Sequence, residues 1–144
     1  MDEVEILLVE DNADDLEMAL FAFREANIAN RIQVARDGQE ALDFIFGDSA
    51  TGGARNGHYP KVILLDLKLP KVDGFEVLRR LKATEATKTI PVVILTSSKE
   101  HRDMIESYNL GVNSYIVKPV NFENFANVIK ELGFYWLVLN QRVQ

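Results

Sequence analysis

The chain has no cysteine, which excludes both a disulfide framework and a thiolate metal site. It is also short of positive charge: 16 lysines and arginines against 22 aspartates and glutamates leave a net charge of −6. A sequence-independent nucleic-acid surface needs clustered basic residues, so no nucleic-acid partner is expected. Long apolar runs are missing too. Those present are short and interrupted by charge, far from the ~20 residues needed to cross a bilayer. The first residues, Met1-Asp2-Glu3-Val4-Glu5, are acidic where a secretory signal is basic. These absences lead us to expect a soluble cytoplasmic protein with no membrane contact.

What is present is alternation. With 144 residues the expectation is a single domain over 1–144, large enough to bury a core without staples. Apolar runs at 5–9, 32–36, 61–66, 91–96 and 114–117 read as strands. Amphipathic segments at about 13–27, 38–46, 74–84, 99–109 and from about 121 to 139 read as five intervening helices. That order predicts an α/β fold with a doubly wound, five-stranded parallel sheet. Ile32-Gln33-Val34-Ala35-Arg36 alternates where three of the other strands are continuously apolar, so it is expected at a sheet edge.

In the first helix Leu16, Leu20 and Phe23 make the inward stripe, and Asp14, Asp15 and Glu17 favour the helix dipole. Phe75, Leu78 and Leu81 are the expected inward residues of the third, Met104, Ile105 and Tyr108 of the fourth, and Phe125, Ile129 and Leu132 of the fifth. Two stretches break the regularity. Residues 47–60 form a glycine-rich loop, long for a helix-to-strand connection; it leads to the far end of the third strand and reads as a tolerated insertion. Residues 133–144 form an aromatic extension that includes Phe134, Tyr135 and Trp136, more apolar surface than one buried stripe takes up.

The strand ends carry the chemistry. Parallel strands bring their C-terminal tips to one crevice, and the tips here are Glu10-Asp11, Asp66, Thr96 and Lys118. Three carboxylates crowd together, Lys118 neutralises one, and a bound Mg²⁺ balances the rest with the hard oxygen ligands it selects. A carboxylate in such a place can accept a phosphoryl group whose charge Mg²⁺ and Lys118 stabilise. The Thr96 hydroxyl can donate to a phosphoryl oxygen, and the small Ser97 leaves room for it. Taken singly, each residue has a plainer reading: Glu10-Asp11 as a helix N-cap, Thr96 as structural, Lys118 as a surface lysine. Their order along the chain is what favours the joint reading.

Val9-Glu10-Asp11-Asn12, Leu64-Leu65-Asp66-Leu67-Lys68-Leu69-Pro70 with Asp73-Gly74, Leu95-Thr96-Ser97, and Gly111-Val112-Asn113-Ser114-Tyr115 leading to Lys118-Pro119 resemble the receiver domain of two-component response regulators. The likeness covers essentially the whole chain and is greatest to the stand-alone regulators paired with bacterial phytochrome kinases. It implies a flavodoxin-like strand order 2-1-3-4-5 and phosphorylation of Asp66 by a sensor histidine kinase. Mg²⁺ would be held by Asp11, Asp66 and the backbone carbonyl of Lys68, with Glu10 acting through water. Thr96 and Lys118 would bind the phosphoryl group, Pro119 would follow a cis bond, and Thr96 with Tyr115 would form the switch. The signalling surface would be helix four, strand five and helix five. That surface and the 133–139 tail are expected to pair two copies in a homodimer.

By this likeness the protein is not a turnover enzyme, and it catalyses only its own phosphorylation and dephosphorylation. His58 and His101 read as surface residues rather than phosphodonors, with His101 and Lys99 able to border the site. Three alternatives stay open. An aspartyl-phosphate phosphatase of the haloacid-dehalogenase type shares the acid, hydroxyl and lysine order but needs an acid where Lys68 stands. A flavin carrier would need a phosphate-cradling loop in place of the acidic Glu10–Asp15 stretch. The third is a receiver-shaped interaction module that is not phosphorylated.

Overall fold

Strands and helices alternate along much of the chain as the apolar runs and amphipathic stretches lead one to expect, with nine regular segments among the described residues. The computed structural model describes residues 4–28, 31–47, 59–97 and 111–133. The strands are β1 (Ile6–Val9), β2 (Ile32–Ala35), β3 (Val62–Asp66), β4 (Val92–Thr96) and β5 (Ser114–Val117). The helices are α1 (Ala13–Glu25), α2 (Gly38–Phe46), α3 (Gly74–Ala83) and α4 (Phe122–Glu131). All strand pairs are parallel, in the order β2-β1-β3-β4-β5. The alternating strand β2 is indeed an edge.

The expected count of five helices is corrected to four among the described residues. The segment at 99–109, where Met104, Ile105 and Tyr108 are expected to face inward, lies outside those residues, as do His58, Lys99, His101, most of the 47–60 loop and the tail from Phe134. The last helix is also shorter than its periodicity suggests. Leu132 is its C-cap and Gly133 follows at φ 82°, a left-handed residue of the kind that ends helices.

Each helix starts on an Asn or Asp whose side chain accepts a backbone N–H three residues on. The pairs are Asn12 with Asp15 at 2.9 Å, Asp37 with Glu40 at 2.7 Å, Asp73 with Glu76 at 3.0 Å and Asn121 with Asn124 at 2.9 Å. Such caps satisfy N–H groups that a helix start leaves unpaired, typically worth about 1 kcal/mol each. The Glu40 N–H is also what holds the Asp37 carboxyl below its ordinary pKa. Because every cap follows a strand, four helix starts gather at the crevice edge of the sheet.

Side chains alternate across the sheet and bury two cores. Ile6, Leu8, Val62, Leu64, Val93, Leu95 and Ile116 face α1 and α4, where the rings of Phe23 and Phe125 meet edge to face at 4.8 Å. Leu7, Val9, Ile63, Leu65, Val92 and Ile94 face α2 and α3. The inward stripes are shifted slightly from the expected ones. Ala19, Ala22 and Phe23 are the buried residues of α1, while Leu16 and Leu20 are only half-buried. Val77 and Val128 are buried beside Leu78, Leu81, Phe125 and Ile129, with Phe75 and Leu132 at the margins.

Two glycines fix the loop that follows β3. A Cβ on Gly74 would lie 2.4 Å from Leu67 Cα, and one on Gly38 would lie 1.6 Å from the carbonyl oxygen of Val72. The loop between Asp66 and α3 is thus packed backbone against backbone. We expect Gly38→Ala to lower stability by about 2 kcal/mol, in the range of overpacking. Urea denaturation checks this, and a loss under about 0.5 kcal/mol, the range of an ordinary surface change, contradicts it.

Candidate acidic and lysine site

Glu10 is the first residue past β1 and is 1% exposed. Its Oε2 accepts the backbone N–H of Asn12 at 3.1 Å, so Glu10 supports the residue that caps α1. The cap is therefore Asn12, and neither Glu10 nor Asp11 takes that role. Asp66 ends β3 and is 6% exposed. Its Oδ1 accepts the backbone N–H of Lys68 at 2.9 Å and its Oδ2 the ammonium of Lys118 at 2.6 Å. Thr96 ends β4, buried, and its carbonyl accepts the Lys118 N–H at 2.8 Å. Sheet pairing thus carries the Lys118 side chain across to Asp66.

Lys118 Nζ lies 2.6 Å from Asp66, 2.9 Å from Glu10 and 3.1 Å from Asp15. Burial alone would push the ammonium pKa down, but the contacts with Asp66 and Glu10 outweigh it and the pKa rises. The Glu10 contact is one of charge: its Oε1 is buried and accepts no well-directed hydrogen bond. Burial, with Asp66 nearby, pushes the Glu10 carboxyl from 4.5 up to about 7, although Lys118 opposes the shift.

Asp15 is the member the sequence reading missed, having been assigned to the helix dipole. The available signal was its place: it stands four residues after Asp11, in the first turn of a helix whose start faces the crevice. Its presence changes the charge count. Four acids face one lysine, so one divalent cation no longer cancels the charge unless Glu10 keeps its proton.

A cleft of about 290 Å³ opens beside these groups, lined by residues that include Asp11, Asp15, Asp66, Lys68, Thr96 and Lys118. Carboxylate oxygens of Glu10, Asp11 and Asp66 lie within 4.8 Å of one another. Asp11 is exposed and the other two are buried. An all-oxygen donor set, with one buried oxygen that accepts no well-directed hydrogen bond, fits a hard divalent cation. The Lys118–Pro119 peptide is cis. Tyr115 pairs with Ile94 and packs half-buried against the α2–α3 core. Alternation puts it on the same sheet face as Thr96.

Residues 6–130 match the response regulator receiver domain family. The chain is 43% identical over 136 residues to the probable methanogenesis regulatory protein FilR2 of Methanothrix harundinacea, covering 94% of this chain and 85% of that one. It superposes on the bacteriophytochrome response regulator AtBRR with a TM-score of 0.81 at 51% identity, covering 94% and 96% of the two chains. For the bacteriophytochrome response regulator RtBRR the TM-score is 0.84 at 49% identity, over 97% and 83%.

The Glu10 shift has a consequence for stability. A carboxyl whose folded pKa lies above its unfolded one binds its proton more tightly when folded. Its contribution is full below 4.5 and lost as pH rises to about 7. Metal-free protein should accordingly become less stable across that interval, and Glu10→Gln should flatten the slope. Denaturant midpoints at several pH values test this, and an unchanged slope in Glu10→Gln contradicts it.

Proposed function

We propose, from the premise that this chain belongs to the response regulator receiver domain family, that Asp66 accepts a phosphoryl group from a sensor histidine kinase. As a receiver domain, the protein has chemistry confined to its own phosphorylation and dephosphorylation. The observation that carries the assignment to Asp66 is its position: one oxygen held by Lys118, the other by the Lys68 N–H, at the wall of an open cleft.

In the transfer an Asp66 oxygen forms a bond to phosphorus as the phosphorus–nitrogen bond of a phosphohistidine breaks. The bonding pair leaves with the imidazole, which takes up a proton. Glu10, Asp11, Asp66 and the Lys68 carbonyl would hold Mg²⁺, which supplies charge neutralisation to the phosphoryl oxygens. Lys118 provides a fixed positive charge, and Thr96 a hydroxyl at the cleft wall. A hydrolase of the haloacid-dehalogenase type needs a carboxylate two residues after the nucleophile, and Lys68 occupies that position.

Thr96 and Tyr115 form the switch in this reading, supported by their common sheet face. A Thr96 hydroxyl drawn to the phosphoryl group makes room for Tyr115 to turn inward. The surface of segment 99–109, β5 and α4 then changes and signals to a partner. We assign the same surface, with the 133–139 tail, to pairing with a second copy; exposed Val117 on the outer strand β5 supports this.

A phytochrome-type kinase is the partner we favour, given the likeness to AtBRR and RtBRR. α1 gives it a surface to dock on beside the cleft. Met18 and Phe21 are 47% and 56% exposed and border a groove shared with Val120 and Asn121. No helix among the described residues is long and apolar enough to cross a membrane.

Phosphorylated bacteriophytochrome kinase and acetyl phosphate, each with Mg²⁺, separate the parts of this reading. Wild-type protein should be labelled by both donors and Asp66→Asn by neither. Phe21→Ala should lose about tenfold in transfer from the kinase, as for a truncated aromatic anchor, and keep its rate with acetyl phosphate. Labelling of Asp66→Asn at the wild-type level overturns the assignment of the acceptor. Equal losses with both donors overturn the docking surface.

A further inference from the structure

Lys118 Nζ donates to Asp66 at 2.6 Å and to Asp15 at 3.1 Å and lies in charge contact with Glu10 at 2.9 Å, so it meets an incoming phosphoryl group already engaged. Turning towards a phosphoryl oxygen in the cleft draws the ammonium away from one of the three carboxylates. The three differ in how well water can take over. The side chain of Glu10 is 1% exposed and that of Asp66 8%, whereas that of Asp15 is 30% exposed. Leaving a buried carboxylate uncompensated is costly, while a partly exposed one regains water. The Asp15 contact is also the longest of the three, at 3.1 Å, and Asp15 lines the cleft that the phosphoryl group would enter.

Resting on the function proposed above, we infer that Asp15 is a positioning residue that holds the place of the phosphoryl group on Lys118. In the resting protein it anchors the ammonium at the mouth of the cleft. On phosphorylation it is displaced, and its charge disfavours anions that cannot form the further contacts of the site. Its own position is well fixed. Glu10 Oε2 accepts from Asn12 N–H at 3.1 Å, and Asn12 Oδ1 accepts from Asp15 N–H at 2.9 Å. One buried acid thus supports the turn that presents the next. Asp14, adjacent in sequence, is exposed and borders the other groove, so it offers a matched control for charge without contact.

The test uses beryllium fluoride, a non-covalent stand-in for the phosphoryl group, titrated calorimetrically at saturating Mg²⁺. Asp15→Asn removes one negative charge and leaves an amide oxygen that holds the ammonium more weakly. It should bind beryllium fluoride about fivefold more tightly than wild type, the scale of one partly exposed ion pair. Asp15→Glu should return the affinity towards wild type, and Asp14→Asn should change it less than twofold. Acetyl phosphate labelling of Asp15→Asn should show a lower KM with little change in maximal rate. Equal or weaker beryllium fluoride binding by Asp15→Asn overturns the inference, as does an equal gain in Asp14→Asn. Wild-type protein that fails to bind beryllium fluoride overturns the proposed function itself, and is distinguished by that.

Discussion

One ammonium group among three carboxylates is the contact on which the rest of the site depends. Lys118 Nζ lies no more than 3.1 Å from Asp66, Glu10 and Asp15, groups contributed by three separate segments of the chain. Without that cation two buried acids would face each other at the end of a parallel sheet. Repulsion and desolvation of that pair would then go uncompensated. The lysine supplies Asp66 with its counter-charge, and the sheet keeps the lysine in place through the Thr96 carbonyl and the β4–β5 pairing.

The charge left over gives the site its requirement for partners. Four acids and one lysine form an anionic cleft, so a divalent cation is attracted and a lone phosphate is not. Glu10, with its raised pKa and a buried oxygen that no hydrogen bond satisfies, bears most of this cost. A cation and a phosphoryl group arriving together change the balance for every member of the cluster. In the switch we propose, the effect passes to the sheet face that Thr96 shares with Tyr115. A local electrostatic event thereby acquires a route to the surface.

Much of this was legible in the sequence because the fold uses strong, regular signals. Continuous apolar runs such as Val62-Ile63-Leu64-Leu65 fit strands covered on both faces, and three of them among five strand signals that alternate with helices leave few topologies. The strand tips then determine which residues meet, so Glu10, Asp11, Asp66, Thr96 and Lys118 follow from the pattern. Asp15 did not, because its contact arises from how α1 leaves β1, and that angle is set by the Asn12 cap and the Glu10 bond beneath it. Side-chain burial in α1 was blurred for a similar reason. Small Ala19 and Ala22 let the helix approach the sheet and shift larger Leu16 and Leu20 to the margin. Gly133 ended the last helix sooner than its apolar period indicated.

The central claim is that Lys118 and the buried acids form one electrostatic unit. The most direct measurement is a double-mutant cycle between Lys118→Met and Glu10→Gln, by urea denaturation of metal-free protein at pH 8. Lys118→Met alone should cost about 3 kcal/mol, since it leaves buried carboxylates unpaired. Adding Glu10→Gln should recover part of that loss, giving a coupling energy of at least about 1 kcal/mol. Additive effects of the two substitutions would contradict the account.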